Sequence, residues 1–296
     1  LNLTHDAPVD WDVYFTIDGS NFDQSTSVTL SADEIKNITI NVTPGETPAV
    51  THALLTLTSE TYPNENEKVE EVFIISGVDN LIVNGSGQNN EIYSEAFSAV
   101  YKTGLSEAGC QSFGAIPGSS FTQAADFGIL DNVKNIYLNI GGTRPVLSVE
   151  HATLLTDFVD NGGNLLIAGQ DVGSDIFGAG ASSGNLQQKL FFQNYLSVSF
   201  IDDGDNQNNS VSSTVDSIYS GISGASLFNA YSGSFDPDAI KKYGNAQEIL
   251  YYPNGKAAAV KNYKGTSKIV YFAFGLEQLQ NEEDRNDLLN RSYQWF

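Results

Sequence analysis

The apolar run Asn164-Leu165-Leu166-Ile167-Ala168 passes directly into Gly169-Gln170-Asp171-Val172-Gly173. A buried strand followed at once by Gly-x-x-x-Gly constrains the fold more than any other feature of the chain. The pattern marks a sharp strand-to-helix turn, where glycine on either side makes room for a central residue held at the carboxyl end of a sheet strand. Hydrolytic α/β folds place Ser or Cys at that centre, whereas this chain has Asp171. The spacing therefore predicts an α/β scaffold without its usual nucleophile.

The flanking sequence extends that scaffold in both directions. Asn80 to Asn84 is a predicted strand ending at Gly85-Ser86-Gly87, and Glu91 to Ala108 follows as a helix with Ile92, Ala96, Ala99, Val100 and Tyr101 on one face. Strands near Ser112 to Ile116 and at Asn135 to Ile140 flank a helix near Ala124 to Leu130. A helix from Val149 to Asn161 is capped by Ser148 and closed by Gly162-Gly163. Beyond the elbow come a helix at Leu186 to Leu196, a strand at Val198 to Ile201 and a polar, Gly- and Ser-rich excursion over 202–236. A hairpin around Pro253-Asn254-Gly255, a buried strand from Lys268 to Phe274 and a helix from Asp284 to Trp295 complete the chain. This alternation predicts a parallel sheet with helices on both faces and ligands at the carboxyl ends of its strands. It occupies residues 78–296.

Residues 1–77 lack that rhythm. Trp11 to Ile17, Ser27 to Leu30, Ile38 to Val42, Ala53 to Thr58 and Val69 to Ile75 are short β-branched and aromatic runs between turn clusters such as Asp18-Gly19-Ser20-Asn21. Their spacing predicts a separate all-β domain, a β-sandwich of immunoglobulin type.

With 36 acidic against 14 basic residues the chain carries a formal net charge of -22. Such a field repels phosphate backbones and anionic lipid, which argues against nucleic acid as a partner. No run of about 18 apolar residues offers a membrane span. The single cysteine, Cys110, rules out an intramolecular disulfide and a cysteine-based zinc site, and beside Gly109 at a helix end it reads as a small buried thiol. The chain starts at Leu1 and contains no Met, which suggests a processed or excised segment with its targeting signals elsewhere.

The strand ending in Gly141-Gly142, the elbow, and the late strand running into Phe274-Gly275-Leu276-Glu277 together resemble the class I glutamine amidotransferase-like, flavodoxin-type fold over residues 78–296. In catalytic members of that family the elbow centre is Cys, and a His-x-Glu motif follows the late strand. The resemblance puts Asp171 at the nucleophile position, Gly275 at the histidine position and Glu277 at the acid position, and so implies a pseudoenzyme. The chain as a whole also resembles secreted and outer-membrane surface proteins of the Bacteroidota, such as the 28-kDa outer-membrane protein family and type IX secretion cargo. That likeness lies in the Thr43-Pro44-Gly45 turn and the phrase Phe158-Val159-Asp160-Asn161-Gly162-Gly163-Asn164 before the elbow. It implies an extracytoplasmic location, with protein partners in an outer-surface assembly or a carbohydrate ligand.

Asp171 has three readings: a carboxylate nucleophile, which needs a general base that only His151 could supply in this domain; part of a ligand or cation site; or a helix cap without chemistry. Glu277 is its candidate companion. Gly141 and Gly142 form a turn at a strand end whose N–H groups can cradle a small anion or simply redirect the chain. Asp202, Asp203 and Asp205 head an oxygen-rich loop suited to calcium, although it lacks the downstream Glu of an EF-hand, and a solvated loop is the plainer account. No other cofactor is implied. Ser217, in Asp216-Ser217-Ile218, fits the Asp-Ser/Thr-apolar sequence that Bacteroidota O-glycosylation systems use. These readings converge on a non-catalytic cell-surface protein for surface attachment, complex assembly or ligand binding. The alternatives are a hydrolase built on Asp171 and Glu277 and a calcium-dependent carbohydrate-binding module.

Overall fold

The computed structural model describes residues 1–62, 68–85, 91–141, 146–178, 184–204, 207–214, 217–231, 233 and 235–296, with side chains from residue 95 onward in the first helix. The chain divides into two compact units, Leu1–Val78 and Asp79–Phe296. No helix among the described residues is long and apolar enough to cross a membrane.

The first unit contains β1 (Asn2–His5), β2 (Asp12–Ile17), β3 (Ser20–Phe22), β4 (Ile38–Thr43), β5 (Ala49–Leu57) and β6 (Lys68–Ser76). They form two antiparallel three-stranded sheets, ordered β1-β5-β6 and β3-β2-β4. Alternate residues of β2 (Val13, Phe15, Ile17) and of β5 (Ala53, Leu55) are buried and, with Leu3, make one core. Ser27 to Leu30 is not a strand. The strand in this region is β3, returned onto β2 by the two-residue turn Asp18-Gly19, whose φ values of 51° and 79° suit a tight hairpin. Periodicity could not reveal β3 because two of its three residues are polar and exposed.

The second unit begins with β7 (Asn80–Asn84), α1 (Glu91–Glu107), β8 (Phe113–Pro117), α2 (Phe121–Asp126), β9 (Asn135–Asn139), α3 (Val149–Asp160), β10 (Asn164–Ala168) and α4 (Val172–Phe177). It continues through α5 (Leu186–Asn194), β11 (Val198–Asp202), β12 (Ser210–Ser213), β13 (Ala225–Ser226), β14 (Ala239–Lys242), β15 (Gln247–Tyr251), β16 (Ala257–Lys264), β17 (Ser267–Phe272) and α6 (Glu282–Trp295). Strands β8-β7-β9-β10-β17 are mutually parallel. In chain order they run 2-1-3-4-5, the flavodoxin-like arrangement.

The sheet as a whole is mixed, where the sequence predicted a parallel one. β16 joins β17 through Gly265-Thr266, and β15, β12, β13, β14 and β11 extend the sheet, also antiparallel. A two-residue link cannot span the crossover that parallel neighbours require, so the antiparallel sense is forced.

β7 and β9 are buried at every position because both faces of the parallel region are covered. Ile82, Tyr137, Leu166, Val270 and Phe272 belong to one core cluster with Tyr101 and Leu105 of α1 and Leu288 and Leu289 of α6. On the opposite side Tyr271 meets Phe192 of α5 at 5.9 Å between ring centroids. A ladder of buried and half-buried amides ties the amino-terminal ends of four parallel strands. Asn135 Nδ2 donates to Asn80 Oδ1 at 2.7 Å, Asn164 Nδ2 donates to Asn135 Oδ1 at 2.8 Å, and the Lys268 amide donates to Asn164 Oδ1 at 2.9 Å. Those bonds can form only in one register, so they align the carboxyl ends at which the site lies.

Candidate functional site at the elbow

The turn after β10 departs from a strained nucleophile elbow. Asp171 has φ -109° and ψ 17°, and neither Gly169 nor Gly173 has a left-handed φ. The two glycines are required by close packing instead. A Cβ on Gly169 would stand 2.5 Å from Ile140 Cβ, and one on Gly173 would stand 2.5 Å from Phe200 Cδ2 and 3.0 Å from Asp238 Oδ2.

Asp171, 6% exposed, makes no cap bond to the helix it precedes, which corrects its reading as a helix cap. That role belongs to Asp238, whose Oδ2 accepts the amides of Gly173 at 2.5 Å and Ser174 at 3.2 Å. Gly173 and Ser174 are the second and third residues of α4, so first-turn donors of this helix are taken by a carboxylate from a distant segment of the chain. Burial, followed by the negative charges of Asp171 and Asp203, raises the Asp238 carboxyl well above the usual carboxylate range.

The histidine position is filled as well. Gly275 has ordinary extended backbone, φ -76° and ψ 139°, yet a Cβ there would lie 2.5 Å from Glu277 Oε1 and overlap the Tyr231 hydroxyl. Tyr231 donates to Glu277 Oε1 in a very short hydrogen bond. The space a His side chain would need is thus taken by this pair. Glu277 is buried, and desolvation raises its carboxyl to about 7 even though the Tyr231 bond acts in the opposite direction. Among the described residues its Oε2 has no hydrogen-bond partner. Tyr231 reaches Glu277 because Leu227 bridges Leu279, the Phe228 amide bonds the Gln278 carbonyl and the Gln280 amide bonds the Ser226 carbonyl.

Side-chain amides join the elbow to its neighbours. Gln170 Nε2 lies between Asp171 Oδ2 at 3.3 Å and Asp236 Oδ1 at 3.4 Å, and Gln170 Oε1 accepts from Gln278 Nε2 at 2.7 Å. Carboxylate oxygens of Asp171, Asp203 and Asp236 all lie within 4.8 Å of one another.

Of the residues singled out from sequence, Asp171 and Asp203 meet at this cluster, and Glu277 lies close enough for its charge and that of Asp171 both to act on Tyr231. Asp202 does not join them, because its carboxylate bonds Lys256 Nζ at 2.5 Å. Successive residues of an extended chain point to opposite sides, so Asp202 at the end of β11 faces away from Asp203. Asp205 and Gly142 lie outside the described residues. The Gly141 amide donates to Asn139 Oδ1 at 2.9 Å and so cannot serve as a free anion donor. His151 packs edge-on against Phe121, 5.4 Å between centroids, and burial lowers its pKa. No side-chain hydrogen bond joins it to the elbow among the described residues. Ser217 is 7% exposed, and its Oγ accepts the Tyr219 amide at 3.1 Å. Cys110 is buried, in keeping with its sequence reading.

Sequence reasoning missed Tyr231, Asp236 and Asp238. A signal existed for two of them, since Asp-Pro-Asp immediately before a strand can present both carboxylates to one side.

No family model matches the chain, and no curated protein matches it in sequence. Among solved structures, a ThuA-like protein from Bacteroides uniformis is similar at TM-score 0.46 and 10% identity, over 73% of this chain and 90% of that one. A second ThuA-like protein, from Parabacteroides merdae, is similar at TM-score 0.45 and 12% identity, over 74% of this chain and 90% of that one. Exo-beta-1,4-mannosidase Op5Man5 from Opitutaceae bacterium strain TAV5 is similar at TM-score 0.46 and 12% identity, over 74% of this chain and 35% of that one. The chain thus spans about a third of the mannosidase's length. The class of the second unit, a flavodoxin-like α/β domain, follows from its own strand order.

Proposed function

We propose that the second unit is a degenerate class I amidotransferase-like domain that binds a ligand or partner at the elbow cleft without turning it over. In this reading the first unit is an immunoglobulin-like module, and the chain belongs to an extracytoplasmic, cell-surface protein that serves attachment or assembly. One observation carries the non-catalytic part: the Tyr231–Glu277 pair fills the space beside Gly275.

A hydrolase reading draws on Glu277, whose carboxyl near 7 suits a proton donor or acceptor at neutral pH. That reading needs a free path from Glu277 to a reacting group, and Tyr231 stands on its Oε1. The test is a turnover screen of the purified chain with glutamine, nitrophenyl esters and nitrophenyl glycosides. Rates equal to buffer are expected throughout. Hydrolysis abolished by Asp171→Asn or Glu277→Gln would overturn the proposal. Isolation of the native protein from its source as part of a larger assembly is the positive outcome expected for the surface role.

A further inference from the structure

We propose that one face of the β16–β17 hairpin, carrying Lys261, Tyr263 and Lys268 against Trp295, is a binding surface for an acidic polysaccharide, a chain of carboxylate-bearing sugars. β16 turns into β17 at Gly265-Thr266, at the amino-terminal end of β17, whereas the elbow cleft lies at the carboxyl ends of the parallel strands. The surface is therefore separate from the cleft and from its reading.

The strand register brings these side chains together. Tyr263 stands directly opposite Lys268, and Lys261, opposite Val270, is the diagonal neighbour of Lys268 on the same face, roughly 7–8 Å away. Both ammonium groups gather over one ring, with Nζ of Lys261 5.2 Å and Nζ of Lys268 5.6 Å from the centroid of Trp295. Tyr263 meets that ring edge-on at 5.3 Å between centroids. Phe296 packs on it at 5.8 Å, and Lys268 Nζ donates to the Trp295 and Phe296 carbonyls, so the group is fixed to the end of α6.

Charge sets this face apart. In a chain of 36 acidic and 14 basic residues, Lys36, Lys134 and Lys256 each pair with a carboxylate. Among the described residues no carboxylate pairs with Lys261 or Lys268. Two like charges held over one ring repel, and an anion set between them relieves the repulsion. The acids elsewhere on the surface act on that anion weakly, because salt screens charges beyond about 8–10 Å.

Tyr263 points to a sugar as the bearer of the anion. It is 58% exposed and is the only exposed large hydrophobic residue of β16, β17 and α6. A protein partner calls for an apolar centre from which lysine is depleted, and here a single ring is flanked by two lysines. A sugar ring lays its C–H face on the tyrosine while a carboxylate at its rim meets the ammonium groups, which act as point charges.

The test is affinity electrophoresis and calorimetry of the whole chain with polygalacturonate, in EDTA so that no divalent ion bridges the two polyanions. Binding is expected at about 20 mM salt, should be lost by about 300 mM, and should be absent with neutral dextran. K261Q should weaken it about two- to fivefold, the range of an exposed ion pair, and K261Q/K268Q by at least about fivefold. Y263A should weaken it by a factor similar to that of K261Q. K264Q removes the same charge from the opposite face of β16, where Lys264 lies over Tyr195, and should keep the parent's affinity. Lys268 also holds the end of α6, so K261Q, which loses no hydrogen bond, decides the matter, with a thermal melt to check that it is folded. No binding by the parent, equal binding of dextran, or an unchanged affinity in K261Q would overturn the site. Tighter binding of poly-L-glutamate than of polygalacturonate would overturn the choice of a sugar. Neither result bears on the turnover screen, which probes Asp171 and Glu277 at the other end of the sheet.

Discussion

Gly275→Ala isolates the contact that closes the cleft to triad chemistry. The backbone there, φ -76° and ψ 139°, accepts any L-residue, so alanine brings no strain. Acting through the unfolded chain alone, it would stabilise by about 0.4–1 kcal/mol. Sterics oppose this, because the new Cβ would lie 2.5 Å from Glu277 Oε1 and 2.7 Å from its Cδ, and would overlap the Tyr231 hydroxyl. If the Tyr231–Glu277 bond opens to relieve the overlap, the cost is about 1.5–3 kcal/mol for a hydrogen bond to a charged group. If the segment shifts instead, overpacking costs about 1–3 kcal/mol.

A net loss of about 1–3 kcal/mol is expected, which lowers Tm by roughly 2–12 °C for a domain of this size. Urea unfolding followed by tryptophan fluorescence, with thermal melts in parallel, measures it. Tyr231→Phe removes the overlapping hydroxyl and the same bond, so adding G275A to Y231F should cost less than G275A costs in the parent. Stability of G275A equal to or above the parent would refute the steric reasoning. Strict additivity with Y231F would refute its assignment to this pair.

Other outcomes follow from the same geometry. Burial raises the Glu277 carboxyl from 4.5 to about 7, so the native state keeps a proton that the unfolded chain releases. Its contribution is fully present below pH 4.5 and is lost as pH rises through 7. The loss reaches about 3 kcal/mol at about 1.4 kcal/mol per unit, and Glu277→Gln should flatten that part of a Tm profile between pH 4 and 8. Asn135→Ala removes the central amide of the ladder, taking one hydrogen bond each from Asn80 Oδ1 and Asn164 Nδ2, for a loss of about 1–3 kcal/mol in chemical unfolding. Gly173→Ala drives a methyl group into Phe200 and against Asp238; about 1–3 kcal/mol should be lost, with faster amide exchange at Gly173 and Ser174 as the local readout. Asp202→Asn breaks only a partly exposed pair with Lys256 and should change stability by no more than about 1 kcal/mol.

The parallel strands were legible because burial on both faces writes them as unbroken apolar runs, as in Leu81-Ile82-Val83 and Leu165-Leu166-Ile167. The cap of α3 was legible because Ser148 acts locally, its Oγ accepting the His151 amide at 3.0 Å. The β15–β16 hairpin was legible from its Pro253-Asn254-Gly255 turn, whereas β3, β12 and β13 were not, since such short segments owe their pairing to neighbours rather than to their own pattern. In the site, Asp171 and Glu277 stood out because each follows a recognisable strand. Tyr231, Asp236 and Asp238 sit in a polar excursion some 60 residues beyond the elbow, and nothing in their local sequence says which strand end they reach.

The Gly-x-x-x-Gly spacing after an apolar run was enough to determine that a strand ends and a helix begins around Asp171, and the missing Cys and His were plain from residue identity. Those are local properties of chain geometry and side-chain chemistry. Whether the turn is strained, what occupies its amides and why residue 275 must be glycine were decided only when distant segments packed against it. Asp238 takes the Gly173 and Ser174 amides, and Tyr231 with Glu277 takes the space beside Gly275. Exclusion of one side chain by another depends on which atoms meet in space, and sequence separation does not encode that.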